Sequence, residues 1–400
     1  MTNKFLNYVG PWNSTGYGYA SIGYLEVLSK ICKTRNITLA FRPIGEVQNT
    51  DPELLEPKYK DLLKHKDEPI RTACPVIGFW HPGHLGQVLS DFTGIKTGIT
   101  TFEVSGLDAN EVASLKQCHF VTTACGYTNG IIKRYLSSGN TYNFIPHYPY
   151  QLKGISNILR SPDPKSFFDK LIGYSFNPDA IFLSNIGKYE LRKGYDLILD
   201  LLDLLDRPTV LCASWYNPFM PSKYPFGDLI FRNWEAQQTN SNIKVYTKDN
   251  KAIILMPPLA ARRELYSIAM NCDFYLCMSR AEGFNLPLHD MNNHYIPCIY
   301  ASHSANQDIS AASLETRSFH VLNTSPAKDD MFFNGKFYWY EPQLREYIDH
   351  IVNRDIKYIR GVKQRHANNL EGDISRTLDY KRNHITTLMN NFIDKISTLQ

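Results

Sequence analysis

Four hundred residues exceed what a single hydrophobic core usually organises, so two domains are the default. Apolar residues make up 43% of the chain, which excludes extensive disorder. No apolar run approaches the ~18 residues of a membrane span, and Met1 to Val9 lacks a signal-peptide core. The eight cysteines are scattered, with no Cys-x-x-Cys pair, and are expected to be reduced thiols of a cytoplasmic protein. The net charge is +4, and residues 351–400 hold nine Lys and Arg against five Asp and Glu, so the remainder is neutral. That surplus includes Lys357, Arg360, Lys363, Arg365, Arg376, Lys381 and Arg382, and a basic face of this kind attracts a polyanion such as nucleic acid or an acidic membrane surface.

Phe5 to Val9 reads as a first strand, followed by a loop through Gly16 and Gly18 and a helical pattern from Ala20 to Lys30. Glycines at such a junction permit close approach of a ligand, and the helix behind them points its positive end into the loop. Gly16-x-Gly18 lacks the third glycine of a dinucleotide fingerprint. Apolar β-type runs then alternate with helical patterns at Ile37 to Phe41, Pro75 to Trp80, Ile95 to Phe102, Phe120 to Cys125 and Asn143 to Tyr148. This alternation predicts a parallel sheet covered by helices, with functional residues at the strand carboxyl ends. Glu103 sits at one such end; His81 and His84 follow another and lack the further ligands a metal would need. The Pro- and Ser-containing span Gln151 to Asp179 breaks the alternation and is the expected linker.

The second half opens with the strand Ala180 to Gly187, the basic turn Lys188-Tyr189-Glu190-Leu191-Arg192-Lys193-Gly194 and an amphipathic helix from Tyr195 to Leu205. Strand, cationic turn and helix make a phosphate-binding unit. Strands Thr209 to Ala213, Ile243 to Tyr246 and Ala252 to Met256 continue the domain. The aromatic loop Ser214 to Met220 suits either contact with a ligand or packing against neighbouring loops. The apolar run Phe274 to Met278 then leads into Ser279-Arg280-Ala281-Glu282-Gly283-Phe284-Asn285-Leu286-Pro287-Leu288-His289-Asp290. A strand that passes a Glu-Gly turn into a helix leaves backbone N–H groups unpaired, which suits an anion. Glu282 and Asp290 add a carboxylate at the turn and another on the helix, for sugar hydroxyls. A further strand from Ile296 to Tyr300, the polar loop Ser302 to Asn306 and a final helix from Tyr380 to Leu399 complete the chain.

These two loops, in this order, resemble the donor site of retaining glycosyltransferases of the GT-B fold, the GT4 family above all. Family members carry Gly-Arg and Lys-Gly in register with Gly187-Lys188 and Lys193-Gly194. They also carry Glu, seven residues and Glu, with Gly-Phe-Gly-Leu-Pro after the first acid. Here Lys188 replaces the Arg, keeping the charge without the bidentate fork. Asn285 replaces a Gly, and Asp290 replaces the second Glu. The resemblance implies an α/β GT-B fold, two facing Rossmann-like domains with a cleft between them and a C-terminal helix crossing back. Its parts would be an acceptor domain at 1–155, a nucleotide-sugar domain at 175–375 and the helix at 376–400.

It further implies that Lys188 and Lys193 clamp the donor diphosphate together with the backbone at Gly283, Phe284, Asn285 and Leu286. Glu282 would orient the sugar, Asp290 the ribose and Met256 the nucleobase segment, with Gly16 and Gly18 in the loop facing the donor. Thr100-Thr101-Phe102-Glu103 resembles the position where many GT4 members and a related phage DNA glucosyltransferase carry a His or an acid near the reacting sugar. Glu103 is therefore an acceptor base, a group stabilising the sugar cation, or a helix cap, with His81 and His84 on the acceptor side and His147 a structural landmark. The co-substrate would be a nucleoside diphosphate sugar, UDP-linked, with no cofactor and, in the absence of an Asp-x-Asp triplet, no metal. For the acceptor, the basic C-terminal region and the layout favour a hydroxylated or hydroxymethylated pyrimidine in duplex phage DNA. Envelope glycan synthesis, a sugar-nucleotide epimerase and a non-catalytic binder are the rivals.

Overall fold

The computed structural model describes residues 4–150, 163–217, 226–239, 243–257, 261–309, 319–328, 337–353, 359–360 and 370–398. Residues 151–162 of the expected linker, residues 218–220 of the aromatic loop, and the basic Lys357, Lys363 and Arg365 lie outside them. The chain divides into two compact units: Met1–Tyr150 with Glu282–Phe284 and Leu378–Gln400, and Gln151–Ala281 with Asn285–Thr377.

The first unit contains β1 (Lys4–Pro11), α1 (Gly16–Arg35), β2 (Ile37–Ile44), α2 (Pro57–Leu63), β3 (Val76–Phe79), α3 (Pro82–Val88), β4 (Lys96–Thr100), α4 (Ala109–Leu115), β5 (Phe120–Thr123) and α5 (Gly126–Ile132). Its sheet has the order β2-β1-β3-β4-β5, parallel throughout. The order turns back between β1 and β3, and that is where an open α/β sheet leaves a crevice at its carboxyl edge. One apolar core holds Tyr8, Trp12, Tyr24, Phe41 and Phe79. A second holds Val76, Leu85, Phe102, Leu115 and Val121.

Two local expectations change here. The helix α1 begins at Gly16, capped by the Thr15 hydroxyl, which accepts from Gly18 N at 3.4 Å, so Gly18 lies within the helix and not in a loop. A Cβ on Gly18 would stand 2.0 Å from the Asn13 carbonyl oxygen, so the glycine is required by packing of the preceding turn. The run Asn143 to Tyr148 is not a strand. Tyr142 N and Ile145 N donate to Val121 O and Thr123 O beside β5, but Pro146 and Pro149 have no N–H with which to extend a ladder.

The second unit contains α6 (Pro164–Ile172), β6 (Ile181–Gly187), α7 (Tyr195–Leu204), β7 (Thr209–Trp215), α8 (Phe226–Phe231), β8 (Glu235–Gln237), β9 (Lys244–Lys248), β10 (Lys251–Leu255), α9 (Arg262–Met270), β11 (Phe274–Cys277), α10 (Leu286–Asn293), β12 (Cys298–Ala301), β13 (Phe319–Val321), β14 (Thr324–Lys328), β15 (Tyr338–Pro342) and α11 (Leu344–Val352). A last helix, α12 (Leu370–Ser397), belongs to the first unit from Leu378 onward and buries Ile385, Met389 and Phe392 in the first core. The described part of the expected linker is not merely a connector, because α6 is capped by Asp163 and buries Phe168 and Ile172.

The second sheet has the order β13-β12-β11-β6-β7-β10-β9-β8. It is parallel from β13 to β10, whereas β9 and β8 form an antiparallel edge. Strand β6 runs between β11 and β7, so the order reverses at the β6–β11 pair. The loops after β6 and β11 are the two motifs singled out in the sequence.

Candidate functional site

The carboxyl ends of β6 and β11 are adjacent, with Tyr275 paired to Ser184. After β6 the chain passes Lys188 and Tyr189 into a short 3-10 turn, Leu191–Lys193, and reaches Gly194 in the left-handed region at φ 71°. After β11 it passes Met278 and Arg280. The two loops are tied by backbone: Arg280 N donates to Arg192 O at 2.8 Å, and Arg192 Nη1 donates to Ala281 O at 2.9 Å across 89 residues of sequence. A Cβ on Gly194 would stand 2.1 Å from Met278 O, so only glycine permits this approach. The aliphatic stem of Lys193 lies over Gly187, since a Cβ there would meet its Cβ and Cγ at 3.5 Å. Lys188 and Lys193 are both half-buried, held at the end of β6.

Arg280 is the anchor beneath this loop pair. Its Nη1 donates to Leu191 O at 2.5 Å, both Nη atoms reach Asp196 at 2.7 Å, and Nε reaches Glu341 at 2.5 Å. These carboxylates hold the guanidinium firmly charged against the opposing effect of burial. Arg192, equally buried, also binds Glu190 at 2.6 Å.

Asn285 is the N-cap of α10, in the left-handed region at φ 67°, with Oδ1 accepting from Leu288 N at 3.4 Å. Asparagine tolerates this conformation, which explains how it stands where the family's pattern has Gly. Asp290, one turn further on, is 2% exposed. Its Oδ2 accepts from the Tyr266 hydroxyl at 2.7 Å and from Arg262 Nη2, both on α9. Met256 has its side chain in the core with Phe182 and Ile254, so a nucleobase there could meet only its backbone. Leu286, Pro287 and Leu288 form the first turn of α10.

Within the first unit, Glu282 is buried and Gly283 packs closely: its Cβ would stand 2.4 Å from Thr101 Oγ1, and its carbonyl lies 3.2 Å from Cys125 Sγ. The Phe284 ring meets His147 at 4.3 Å between centroids. His147 is also edge-on to Tyr24 and Phe79, and burial pushes its pKa down to about 3. It is a neutral core histidine.

His81 caps α3 through Nδ1, which accepts from Gly83 N at 3.3 Å. That bond leaves the proton of the neutral ring on Nε2, 3.9 Å from Glu111 Oε1. Glu111 closes the capping box of α4, its Oε2 accepting from Asp108 N at 3.0 Å. Glu103 is half-buried, and its charge reaches both His81 and Glu111. The cap of α4 is Asp108, not Glu103. His84 lies 6.5 Å from His81 between ring centroids, and among the described residues no group of three or more His, Cys, Asp or Glu could hold a metal ion.

Burial, reinforced by the carboxylates of Asp108 and Glu103 and opposed by the Asp108 amide, pushes the Glu111 pKa up to about 7. A carboxyl with a raised folded pKa binds its proton more tightly folded than unfolded. Its stabilising contribution is complete below the ordinary carboxylate range and is lost as pH rises through 7. Glu111→Gln should remove this slope, narrowing its stability gap to the parent, or reversing it, by of order 2–3 kcal/mol between pH 4.5 and pH 8. Urea unfolding of both proteins at several pH values checks this; parallel profiles would show that Glu111 titrates normally.

No family model matches the sequence, and no curated protein is similar to it in sequence. Solved structures are similar over the whole chain. A glycosyltransferase from Rickettsia africae superposes with a TM-score of 0.53 at 13% identity, covering 98% of this chain and 100% of the other. The Anabaena protein HepE in complex with UDP-glucose gives 0.54 at 10% identity, over 96% and 99%. A UDP-forming α,α-trehalose-phosphate synthase from Burkholderia vietnamiensis gives 0.55 at 9% identity, over 99% and 98%. The chain has the GT-B fold.

In this GT-B chain several residues of the candidate site carry no signal in the sequence pattern: Arg280, Arg262 and Tyr266 engage partners far along the chain. Arg192 lies inside the basic turn that the sequence pattern shows, but its bond to Ala281 O is equally non-local. The basic surplus also falls elsewhere than on the last helix. Leu370–Ser397 holds four Lys and Arg and four Asp and Glu, so α12 is neutral. On it Arg376 pairs with Asp373, Arg382 lies 3.7 Å from Asp379, and Asp394 pairs with Arg35 at 2.5 Å. The excess comes from 351–369, where Arg360 is committed to the buried Asp273 at 2.8 Å. All eight cysteines are free thiols, and no described helix is long and apolar enough to cross a membrane.

Proposed function

We propose that this GT-B chain is a retaining, GT4-like glycosyltransferase that moves a sugar from a UDP-linked donor to an acceptor hydroxyl. One observation carries the reading: the cationic turn after β6 is clasped by hydrogen bonds to Arg280 and Ala281, which open the loop after β11, at the reversal point of the second sheet. Complexes of HepE with UDP-glucose and UDP on the same fold support a nucleotide sugar as the ligand class.

Departure of the nucleoside diphosphate leaves negative charge on its β-phosphate and cationic character on the sugar. Lys188 and Lys193 are the groups for the first, pre-positioned by the clasp around Gly194. Glu282 orients the sugar hydroxyls and Asp290 the ribose. On the acceptor side Glu103 is the group for the incoming hydroxyl, with His81 and His84 lining that part of the first unit. Attack from the leaving-group face gives retention, and divalent metal is dispensable.

For the acceptor, the sequence favours a hydroxylated pyrimidine in phage DNA, on its basic surplus. The neutrality of α12 removes that helix as a basic face, which leaves the surplus in a short stretch before it and brings a glycan acceptor level with DNA. The test is to incubate the protein with UDP-sugars and duplexes containing plain or hydroxymethylated pyrimidines, digest to nucleosides and weigh them. A sugar increment on the hydroxylated base alone establishes a DNA acceptor. Hydrolysis or transfer to glycans without any nucleoside gain leaves the transferase reading and removes DNA. UDP-sugars that neither bind nor turn over remove both.

A further inference from the structure

The carboxylate of Asp290 is used asymmetrically. Oδ2 takes both the Tyr266 hydroxyl and an Arg262 Nη, whereas no hydrogen bond from the described residues reaches Oδ1. Arg262 opens α9 and Asp290 sits in the second turn of α10. Both helices follow parallel strands, so these ends lie at the carboxyl edge of the sheet, where its ligands collect. Arg262 is also stacked at 5.1 Å over the Tyr266 ring, so the two groups that grip Asp290 also contact each other. Aspartate is one methylene shorter than glutamate and reaches less far from the helix. A short carboxylate gripped by one oxygen has its remaining lone pairs fixed in direction.

We propose that Arg262 and Tyr266 are positioning residues that hold Asp290 by Oδ2 and aim Oδ1 at a ribose hydroxyl of the donor nucleotide, so that this pair sets the preference for ribonucleotides over deoxyribonucleotides. The inference rests on the sugar-nucleotide reading of this unit.

The experiment measures binding of UDP, 2′-deoxy-UDP and 3′-deoxy-UDP to the full chain by calorimetry, for the parent, Tyr266→Phe, Arg262→Gln and Arg262→Lys. The parent should prefer UDP to at least one deoxy analogue by about ten- to 150-fold, the range for a hydrogen bond to a charged group. Tyr266→Phe and Arg262→Gln should cut that preference to about threefold or less by weakening UDP while leaving the deoxy analogue unchanged, and Arg262→Lys should restore part of it. A merely structural role would weaken all three nucleotides together and lower the thermal midpoint. If UDP binds but the parent ignores the missing hydroxyls, or the variants keep its preference, the positioning role is wrong while the donor reading stands. If none of the three nucleotides binds, the donor reading itself falls. Tyr266→Phe loses a single oxygen atom, so it tests the inference even if Arg262→Gln does not fold.

Discussion

Lys193→Ala should lower turnover by about a hundred- to a thousandfold if Lys193 holds the leaving diphosphate as proposed, the usual effect of removing one preorganised charge from a developing anion. The reason lies in how the ammonium is delivered. Its stem lies across Gly187 at the end of β6, and its backbone is fixed by the 3-10 turn whose Lys193 N donates to Glu190 O at 2.9 Å. On the proposed reading the charge is held near its place before the donor arrives, which limits the reorganisation needed when the leaving group departs. Its loss should fall on kcat more than on KM, because the β-phosphate gains charge only as the glycosidic bond breaks. Stability should hardly change, since a half-buried loop cation contributes little to folding. Steady-state transfer from a UDP-sugar, with thermal midpoints for both proteins, separates the two effects. Unaltered kcat in a folded variant would take Lys193 out of the mechanism.

The parts of this molecule that were legible in the sequence are those whose cause is local. Lys188, Lys193, Gly194 and the Glu282–Asp290 stretch announce themselves because a strand, a tight turn and a helix follow within a dozen residues, and the turn chemistry is written in the residues themselves. The parallel sheets followed from the same alternation. What escaped is non-local: Arg280 reaches Glu341, 61 residues away, and Arg262 reaches Asp290, 28 residues away, with no periodicity to mark either pair. Strand β9 was legible as Ile243 to Tyr246 but not its antiparallel pairing, and β8, β14 and β15, strands of three to five residues, are too short to show alternation. The Asn143 to Tyr148 run misled for the opposite reason, because its aromatic, β-like composition is overruled by prolines that cannot donate. Glu111 was hidden by its own cap motif, since a capping-box acid looks the same whether it is exposed or buried.

Gly194→Ala should be a severely damaging single-methyl change in the second unit. A left-handed conformation already costs a β-carbon-bearing residue about 1 kcal/mol or more. At φ 71° Gly194 would add to that a Cβ 2.1 Å from the Met278 carbonyl oxygen, a contact that only movement of backbone can relieve. Met278 is fully buried at the end of β11, and Gly194 N is itself bonded to Leu191 O at 2.9 Å, so neither side can yield cheaply. The expected loss is about 3–4 kcal/mol, which for a unit of this size lowers its thermal midpoint by roughly 6–16 °C. Gly45 provides the control: its φ is 73° and a Cβ there meets nothing within 4 Å, so Gly45→Ala carries the backbone strain alone. The excess cost of Gly194→Ala over Gly45→Ala, read from denaturant unfolding, measures the clasp between the two loops. If that clasp positions Lys193, the folded fraction of Gly194→Ala at low temperature should still lose transfer, with kcat falling more than KM rises, as for Lys193→Ala. Equal costs for the two glycines, or full transfer by folded Gly194→Ala, would mean that the close approach of β6 and β11 loops is not what assembles the site.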